Sequence, residues 1–298
     1  MKKLLTILLL LIASRAFAEP VSVNIHWPFA VGSPQAMMVR GLIETANTQQ
    51  TKYNFVFSHK PGAGGSIAAL SVTHNQLSVL ASTSSFYIRP LLYKDSHNII
   101  DYSMVAEMCT AQPLAIFSKK YKSVSEFPKS VTVGIISGSI TTLLTRSLSK
   151  SNPHLSIVEV PYKGTPEATT DMLGGHIDGS VDFIGKSTLA RFDGTVNIVG
   201  ITGTKNIGSY ATFESMGVKG LTDVTNDYFL FVHQSVDEAI KKELNTIFRQ
   251  AINKSAKVKE YCTEDFGTVS NTPYEKLTSI NTENATKWSK LTAGINRE

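Results

Sequence analysis

The sequence runs to 298 residues, of which 42% are hydrophobic and 18% charged; that is enough apolar material for a packed core and excludes a disordered chain. The formal net charge is +5, but Lys2, Lys3 and Arg15 fall in the first eighteen residues, which hold no acid, so the 280 residues that follow carry only +2. Such a balance offers no polybasic surface, and nucleic acid drops out as a partner.

In chain order, Lys2-Lys3 precedes an apolar run over 4–13, and Ala16-Phe17-Ala18 supplies a small-x-small cleavage pattern. This reads as a cleavable signal peptide with cleavage after Ala18, since the run is half of the ~20 apolar residues that a membrane span needs. The expectation is an exported protein of the periplasm. Two cysteines, Cys109 and Cys262, lack CxxC spacing and exclude a zinc ribbon or a thioredoxin-type centre. Export permits a disulfide between them; two separate buried thiols are the alternative.

A β-rich run over 21–27 ends at Pro28 and leads into a Gly/Ser/Pro loop, after which Met37, Met38, Leu42 and Ile43 recur at helical spacing. Strands are predicted at 55–57 and 77–81, with a glycine-rich turn from Lys60 to Gly65 and a helix over 66–72 between them. Ser82, Thr83, Ser84 and Ser85 follow the second of these strands. Extended segments at 104–109 and 114–117 close the first half. The cycle then restarts, with strands at 131–136, 157–160, 181–183 and 196–201 and helices at 143–148 and 168–173, the latter ended by Gly174-Gly175. A strand after Asp227 and helices over 236–251, 258–266 and 274–291 finish the chain. The alternation argues an α/β fold of two lobes with largely parallel sheets, whose strand-end loops face one cleft.

Enzyme motifs are mostly absent. Gly62-Ala63-Gly64-Gly65-Ser66-Ile67 has Ile67 where a dinucleotide fingerprint needs a third glycine, and GxxxxGK[ST], HExxH and GxSxG do not occur. Seven histidines are scattered without i, i+4 pairs, so no metal site is expected. Asp178 and Asp182 are four apart, but no nucleophile accompanies them. What remains is a set of Gly/Ser/Thr loops placed just before helices. Free N–H groups and the positive end of a helix suit such loops to hold an anion without a cationic side chain, although the same residues also serve as plain caps and turns.

Four stretches in order resemble the extracytoplasmic receptors of the tripartite tricarboxylate transport systems. Pro28-Phe29-Ala30-Val31-Gly32-Ser33 is similar to that family's PFPPGG loop, and Lys60-Pro61-Gly62-Ala63-Gly64-Gly65-Ser66-Ile67 to its RPGAGGNIG segment. Val160-Pro161-Tyr162-Lys163-Gly164-Thr165, running on to Asp171-Met172-Leu173-Gly174-Gly175-His176-Ile177-Asp178, resembles VPYKGxxPALTDLLGGQVD. Ala211-Thr212-Phe213-Glu214-Ser215-Met216-Gly217 resembles the PTxxExG segment. The resemblance implies a two-lobed type II periplasmic binding fold with the ligand cleft between the lobes. One lobe is expected from 19–118 plus 228–298 and the other from 119–227.

The implied ligand is a small organic carboxylate, and the implied partners are the integral membrane subunits of a permease. A monomer without cofactor, metal or catalytic residues is expected. Carried over by position, Phe29, Ala30, Val31, Gly32 and Ser33 would line one wall, with Ser82, Thr83 and Ser84 beside them. Ser137, Gly138 and Ser139 would present a helix N-terminus from the second lobe. Tyr162, Lys163, Gly164 and Thr165 would close over the ligand, and Asp182 and Phe183 would form the floor. Lys163 is the expected cationic contact. The first loop departs from the family's usual GGSTD continuation: Pro34 removes an amide donor and Ala36 replaces an acid. Two rival readings use the same cleft, a receptor that signals to a sensor protein and a periplasmic enzyme with Asp178 or Asp182 as base.

Overall fold

Strand–loop–helix units build two sheets that share one long strand. The computed structural model describes residues 19–192, 194–264 and 266–298; the expected signal peptide, 1–18, lies outside the described residues. In the first sheet, β1 (Val21–Trp27) pairs in parallel with β2 (Tyr53–His59) and β3 (Ser78–Thr83). β3 then pairs antiparallel with β9 (Thr225–His233), and β9 with β4 (Tyr102–Ser118). β10 (Thr268–Val269) adds to the edge of β4. In the second sheet, the carboxyl end of β4 pairs antiparallel with β7 (Gly179–Phe183) and β8 (Asn197–Ile201). β7 continues in parallel to β5 (Ser130–Ile135), and β5 to β6 (Ser156–Pro161). Each sheet is therefore mixed rather than largely parallel, because β4 and β9 run against the βαβ strands that they join.

The two extended segments expected at 104–109 and 114–117 are one 17-residue strand. Its polar interruption at Thr110-Ala111-Gln112 hides the continuity in sequence. There the register against β9 shifts and Ala111 takes φ +61°; beyond Pro113 the strand leaves β9 for β7. This switch lets two sheets share a strand without sharing a plane.

The helices are α1 (Pro34–Gln49), α2 (Ser66–Leu70), α3 (Ser85–Leu92), α4 (Ile140–Ser151), α5 (Thr165–Gly174), α6 (Lys186–Phe192), α7 (Glu238–Lys254), α8 (Ala256–Glu264) and α9 (Tyr274–Thr292). Their ends follow ordinary capping chemistry. Ser33 caps α1 by accepting the N–H of Ala36 at 3.2 Å, and Pro34 sits where a missing N–H is harmless. Ser139 caps α4 through the N–H of Thr141 at 3.1 Å, and Gly175 ends α5 in the left-handed conformation. α1, α7 and α8 bury Leu42, Phe248 and Val258 against one face of the first sheet. α3, α4 and α9 bury Phe86, Leu144 and Trp288 in a core that runs behind both sheets.

Cys109 of β4 and Cys262 of α8 are joined by a disulfide, with Cα atoms 5.8 Å apart and both residues fully buried. No helix among the described residues is long and apolar enough to cross a membrane.

Candidate functional site

The carboxyl ends of β1, β3 and β5 and the loop after β6 converge on a cavity of about 30 Å³. Strand polarity explains the convergence: parallel strands all send their helix-bound loops to the same edge, so the N-termini of the next helices gather there. Four do so. Ser33 and Gln35 come from the start of α1, and Ser85 from the start of α3. Ser139, Ile140 and Thr141 open α4, while Gly164 and Thr165 open α5. Trp27, Phe29, Ile136, Phe183 and Tyr228 supply an apolar wall, and Ala30 and Thr83 complete the lining. None of the described residues lining the cavity carries a charged side chain. The helix ends bring partial positive charge to the cavity, and the one acid in their first turns, Glu167 of α5, borders the outer cavity instead.

Close packing across the cleft depends on small residues. A Cβ on Gly164 would lie 2.6 Å from the Cβ of Ala30, and one on Gly64, which has φ +56°, would lie 2.6 Å from the carbonyl oxygen of Ser137. The N–H of Ile140 donates to Ser85 Oγ at 3.3 Å, which links the starts of α3 and α4. Each contact joins a loop of the first sheet to a loop of the second. Together they leave the cavity far below the several hundred Å³ of an ordinary ligand pocket.

Of the residues named from sequence, Phe29, Ala30, Ser33, Thr83, Ser139, Gly164, Thr165 and Phe183 lie together on this cavity. Val31, Gly32 and Lys163 border a separate outer cavity of about 310 Å³ with His59, Pro61 and Glu167. Ser137 and Gly138 form the turn against which Gly64 and the Arg89 side chain pack. Ser82 is buried in β3. The Oγ of Ser84 accepts the N–H of Asp227 at 2.9 Å, which ties that side chain to β9. Tyr162 donates its hydroxyl to Asp171 at 2.6 Å; burial, with that bond, pushes the phenol up to about 12. Asp182 is buried, and its carboxylate accepts the N–H of Phe183 at 2.8 Å.

Trp27, Gln35, Ser85, Ile136, Ile140, Thr141 and Tyr228 line the cavity as well and were not singled out from sequence as ligand contacts. Ser85 was within reach, because it belongs to the Ser82–Ser85 run in which alternate hydroxyls face opposite ways. Nothing in the local pattern marks Tyr228, which comes from the far side of the chain.

Asp178 serves the fold. Its carboxylate pairs with Lys120 at 2.8 Å and accepts the N–H and the hydroxyl of Thr132 at 3.0 and 2.8 Å. Burial pushes this carboxyl up, but Lys120 and the Thr132 donors outweigh that and hold it below the usual range. A larger concavity of about 460 Å³ lies on the outer surface, where Arg146 already pairs with Glu159 and Glu298. Among the described residues, no group of three or more His, Cys, Asp or Glu side chains could hold a metal ion.

Two sheets sharing a crossover strand, with helix N-termini facing one cleft, define the architecture of a two-lobed periplasmic binding protein. Solved structures agree at the level of fold. The periplasmic binding protein BugD is 21% identical with a TM-score of 0.79, covering 93% of this chain and 99% of its own. MatC from Rhodopseudomonas palustris, solved with bound malate, is also 21% identical at a TM-score of 0.79, covering 91% of this chain and 99% of its own. A further R. palustris protein, solved with adipate, is 19% identical at 0.77, covering 92% and 96%. No curated protein matches the chain in sequence. The sequence profile of the tripartite tricarboxylate transporter family receptors matches residues 39–296, and the chain belongs to that family.

Proposed function

We propose that this protein is a periplasmic receptor that captures a small organic carboxylate between its two sheets and delivers it to an integral membrane permease. The observation that carries the reading is the meeting of four helix N-termini on one cavity lined, among the described residues, by no charged side chain. The aligned peptide dipoles of these helix starts favour an anion there. The starts of α3 and α5 have no side-chain cap, although Pro166 and Glu167 stand in the first turn of α5. Structural relatives solved with malate and adipate make carboxylates the natural class to test.

A cavity of about 30 Å³ admits little more than water, so entry of an organic acid requires the lobes to part. The lobes of this reading are 19–118 with 228–298, and 119–227, and the mature chain begins after Ala18. Ligand bound to both lobes favours the closed form, which is the shape a permease would recognise. Binding and release, without covalent chemistry, are the activity in this reading; of the two candidate bases, Asp178 is engaged by Lys120 and Thr132. The protein acts as a monomer.

A thermal-shift screen of residues 19–298 against mono-, di- and tricarboxylates, amino acids and sugars tests this. A carboxylate at a hundred times its dissociation constant adds about 2.7 kcal/mol of stability and a visibly higher melting temperature. Stabilisation by sugars or amines alone, with every carboxylate silent, would sink the proposal.

A further inference from the structure

Residues 293–298 follow α9 and border the outer concavity of about 460 Å³, apart from the cleft cavity. By the division above they belong to the first lobe, and their main chain is tied to it. The N–H of Glu298 donates to the carbonyl of Leu92 at 2.8 Å, and the N–H of Lys94 donates to the main-chain oxygen of Glu298 at 2.9 Å. The same residues lie against α4 of the second lobe. Lys150 Nζ donates to the carbonyl of Ala293 at 2.8 Å, and Arg146 Nη1 to that of Asn296 at 3.5 Å. Arg146 also pairs with the Glu298 carboxylate.

Arg146 stands at the centre of these contacts. Within its own lobe it is anchored by Glu159 of β6, whose carboxylate accepts from Nη2 at 3.2 Å and from Nε at 3.4 Å. Glu159 in turn accepts the hydroxyl of Thr145 at 2.6 Å. Across the lobe boundary, Arg146 Nη2 donates to the Tyr93 hydroxyl at 3.1 Å. Arg89 packs on Tyr93, its guanidinium carbon 3.9 Å from the ring centroid. A planar fork of five donors can serve Glu159, Tyr93, Asn296 and Glu298 together, which a lysine could not. The side chains of Arg146 and Glu159 are only 18% and 21% exposed, so solvent screens this cluster less than an ordinary surface pair.

We infer that Arg146 is a positioning residue for ligand capture: with Tyr93 and residues 293–298 it forms a latch between the lobes, outside the cleft, that favours their closed arrangement. This rests on the two-lobed receptor reading. One side of the latch moves with each lobe, so parting the lobes breaks the charge-assisted bonds to Tyr93 and Glu298 and leaves Arg146 with Glu159 alone. The latch touches no ligand, since neither Arg146, Tyr93 nor Glu298 lines the cleft cavity. It acts on the closing equilibrium, and a ligand that needs the closed form binds more tightly in proportion to the population already closed.

Glu298→Ala and Tyr93→Phe each remove one acceptor of the latch and leave Arg146 paired with Glu159. Titration calorimetry on residues 19–298 with malate and adipate, and small-angle scattering of the same unliganded protein, test its role. Where the open form predominates, each variant is expected to bind about three- to fivefold more weakly. Where the closed form predominates, the unliganded radius of gyration rises instead. In the Arg146→Ala background Glu298→Ala should have no further effect, as a direct pair requires. High salt should shrink the difference between Glu298→Ala and the parent. Glu44→Ala serves as the control, because it breaks the Lys257–Glu44 pair at 2.8 Å, which lies within the first lobe alone; affinity and radius should stay at the parent's values. If Arg146→Ala does not fold, Glu298→Ala and Tyr93→Phe still decide. Affinity and radius unchanged in both variants, tighter binding by either, or a loss in Glu44→Ala as large as in Glu298→Ala overturns the latch and leaves the receptor reading standing. Silence toward malate, adipate and every carboxylate of the wider screen removes the receptor reading and the role of Arg146 with it.

Discussion

Ala30 and Gly164 meet across the cleft with no room for one more carbon: a Cβ added to Gly164 would lie 2.6 Å from the Cβ of Ala30. The backbone at Gly164 is extended, with φ −162°, so alanine fits its conformation without strain. Gly164→Ala therefore acts on closure alone. An overpacked contact costs about 1–3 kcal/mol, which weakens ligand binding roughly 5- to 150-fold through loss of the closed population. Small-angle scattering of the liganded variant should retain the more open dimensions, and its unliganded melting temperature should match the parent.

The Cys109–Cys262 bridge closes a loop of 153 residues. A loop of that length restricts the unfolded chain by about 5 kcal/mol in the entropic treatment, and removal of native bridges commonly costs ~2–5 kcal/mol. Cys109→Ala with Cys262→Ala should lower the denaturation midpoint by a corresponding amount. Both sulfurs are fully buried, so dithiothreitol should leave the native parent intact and lower its stability only once unfolding exposes the bond. A double variant as stable as the oxidised parent would contradict this.

Strands and their periodicity were legible where the pattern was local. The run over 21–27 reads as β-structure because Val, Ile and Trp precede the Pro28 stop, and it is β1. The three late helices lie within a few residues of expectation because amphipathic spacing extends over whole turns. α3 escaped because Ser85–Leu92 carries Pro90 inside it, which the sequence marks as a breaker; the helix is one end of a buried core and survives by packing Phe86, Ile88 and Leu92. The same limit applies to the cavity. Motif resemblance points to the loops at 29–33 and 162–165, but which side chain of a loop faces inward depends on partners far away in sequence. Ser84 turns away because the backbone of Asp227 holds it, whereas Thr83 and Ser85 line the cavity.

His97 is buried at 3% exposure, stacked on Phe86 with ring centroids 4.8 Å apart, its Nε2 against the carbonyl of Phe86 at 2.9 Å and its Nδ1 against Ser66 Oγ at 3.1 Å. Burial lowers its pKa from 6.5 to about 4; the Phe86 carbonyl opposes the shift and the charge of Arg89 adds to it. The folded state thus resists a proton that the unfolded chain accepts below pH 6.5. Stability from this group is complete above pH 6.5, falls as pH drops through the window to about 4, and is constant below it; the total is about 3 kcal/mol. The parent should lose more stability than His97→Gln between pH 7 and pH 4 in parallel denaturation curves. Equal losses would mean that the ring is not kept neutral.

Lys163 lies next to Gly164 and Thr165 in the loop, yet its place is different. It borders the outer cavity with Glu167, is solvent-exposed, and its own N–H donates to the Glu167 carboxylate at 3.1 Å. A charge in that position acts on a ligand only through water and salt, over a Debye length of ~8 Å at physiological ionic strength. Lys163→Ala should change affinity by less than about threefold, and what it changes should vanish at high salt. Thr165 is the opposite case: it is buried, opens α5 and lines the cavity itself. Thr165→Val keeps the shape and removes the hydroxyl, so affinity should fall about tenfold at every salt concentration. Calorimetry of the two variants at low and high ionic strength separates them. A larger loss from Lys163→Ala than from Thr165→Val would mean that the anion is held by a cation at the rim and not by the helix ends beneath it.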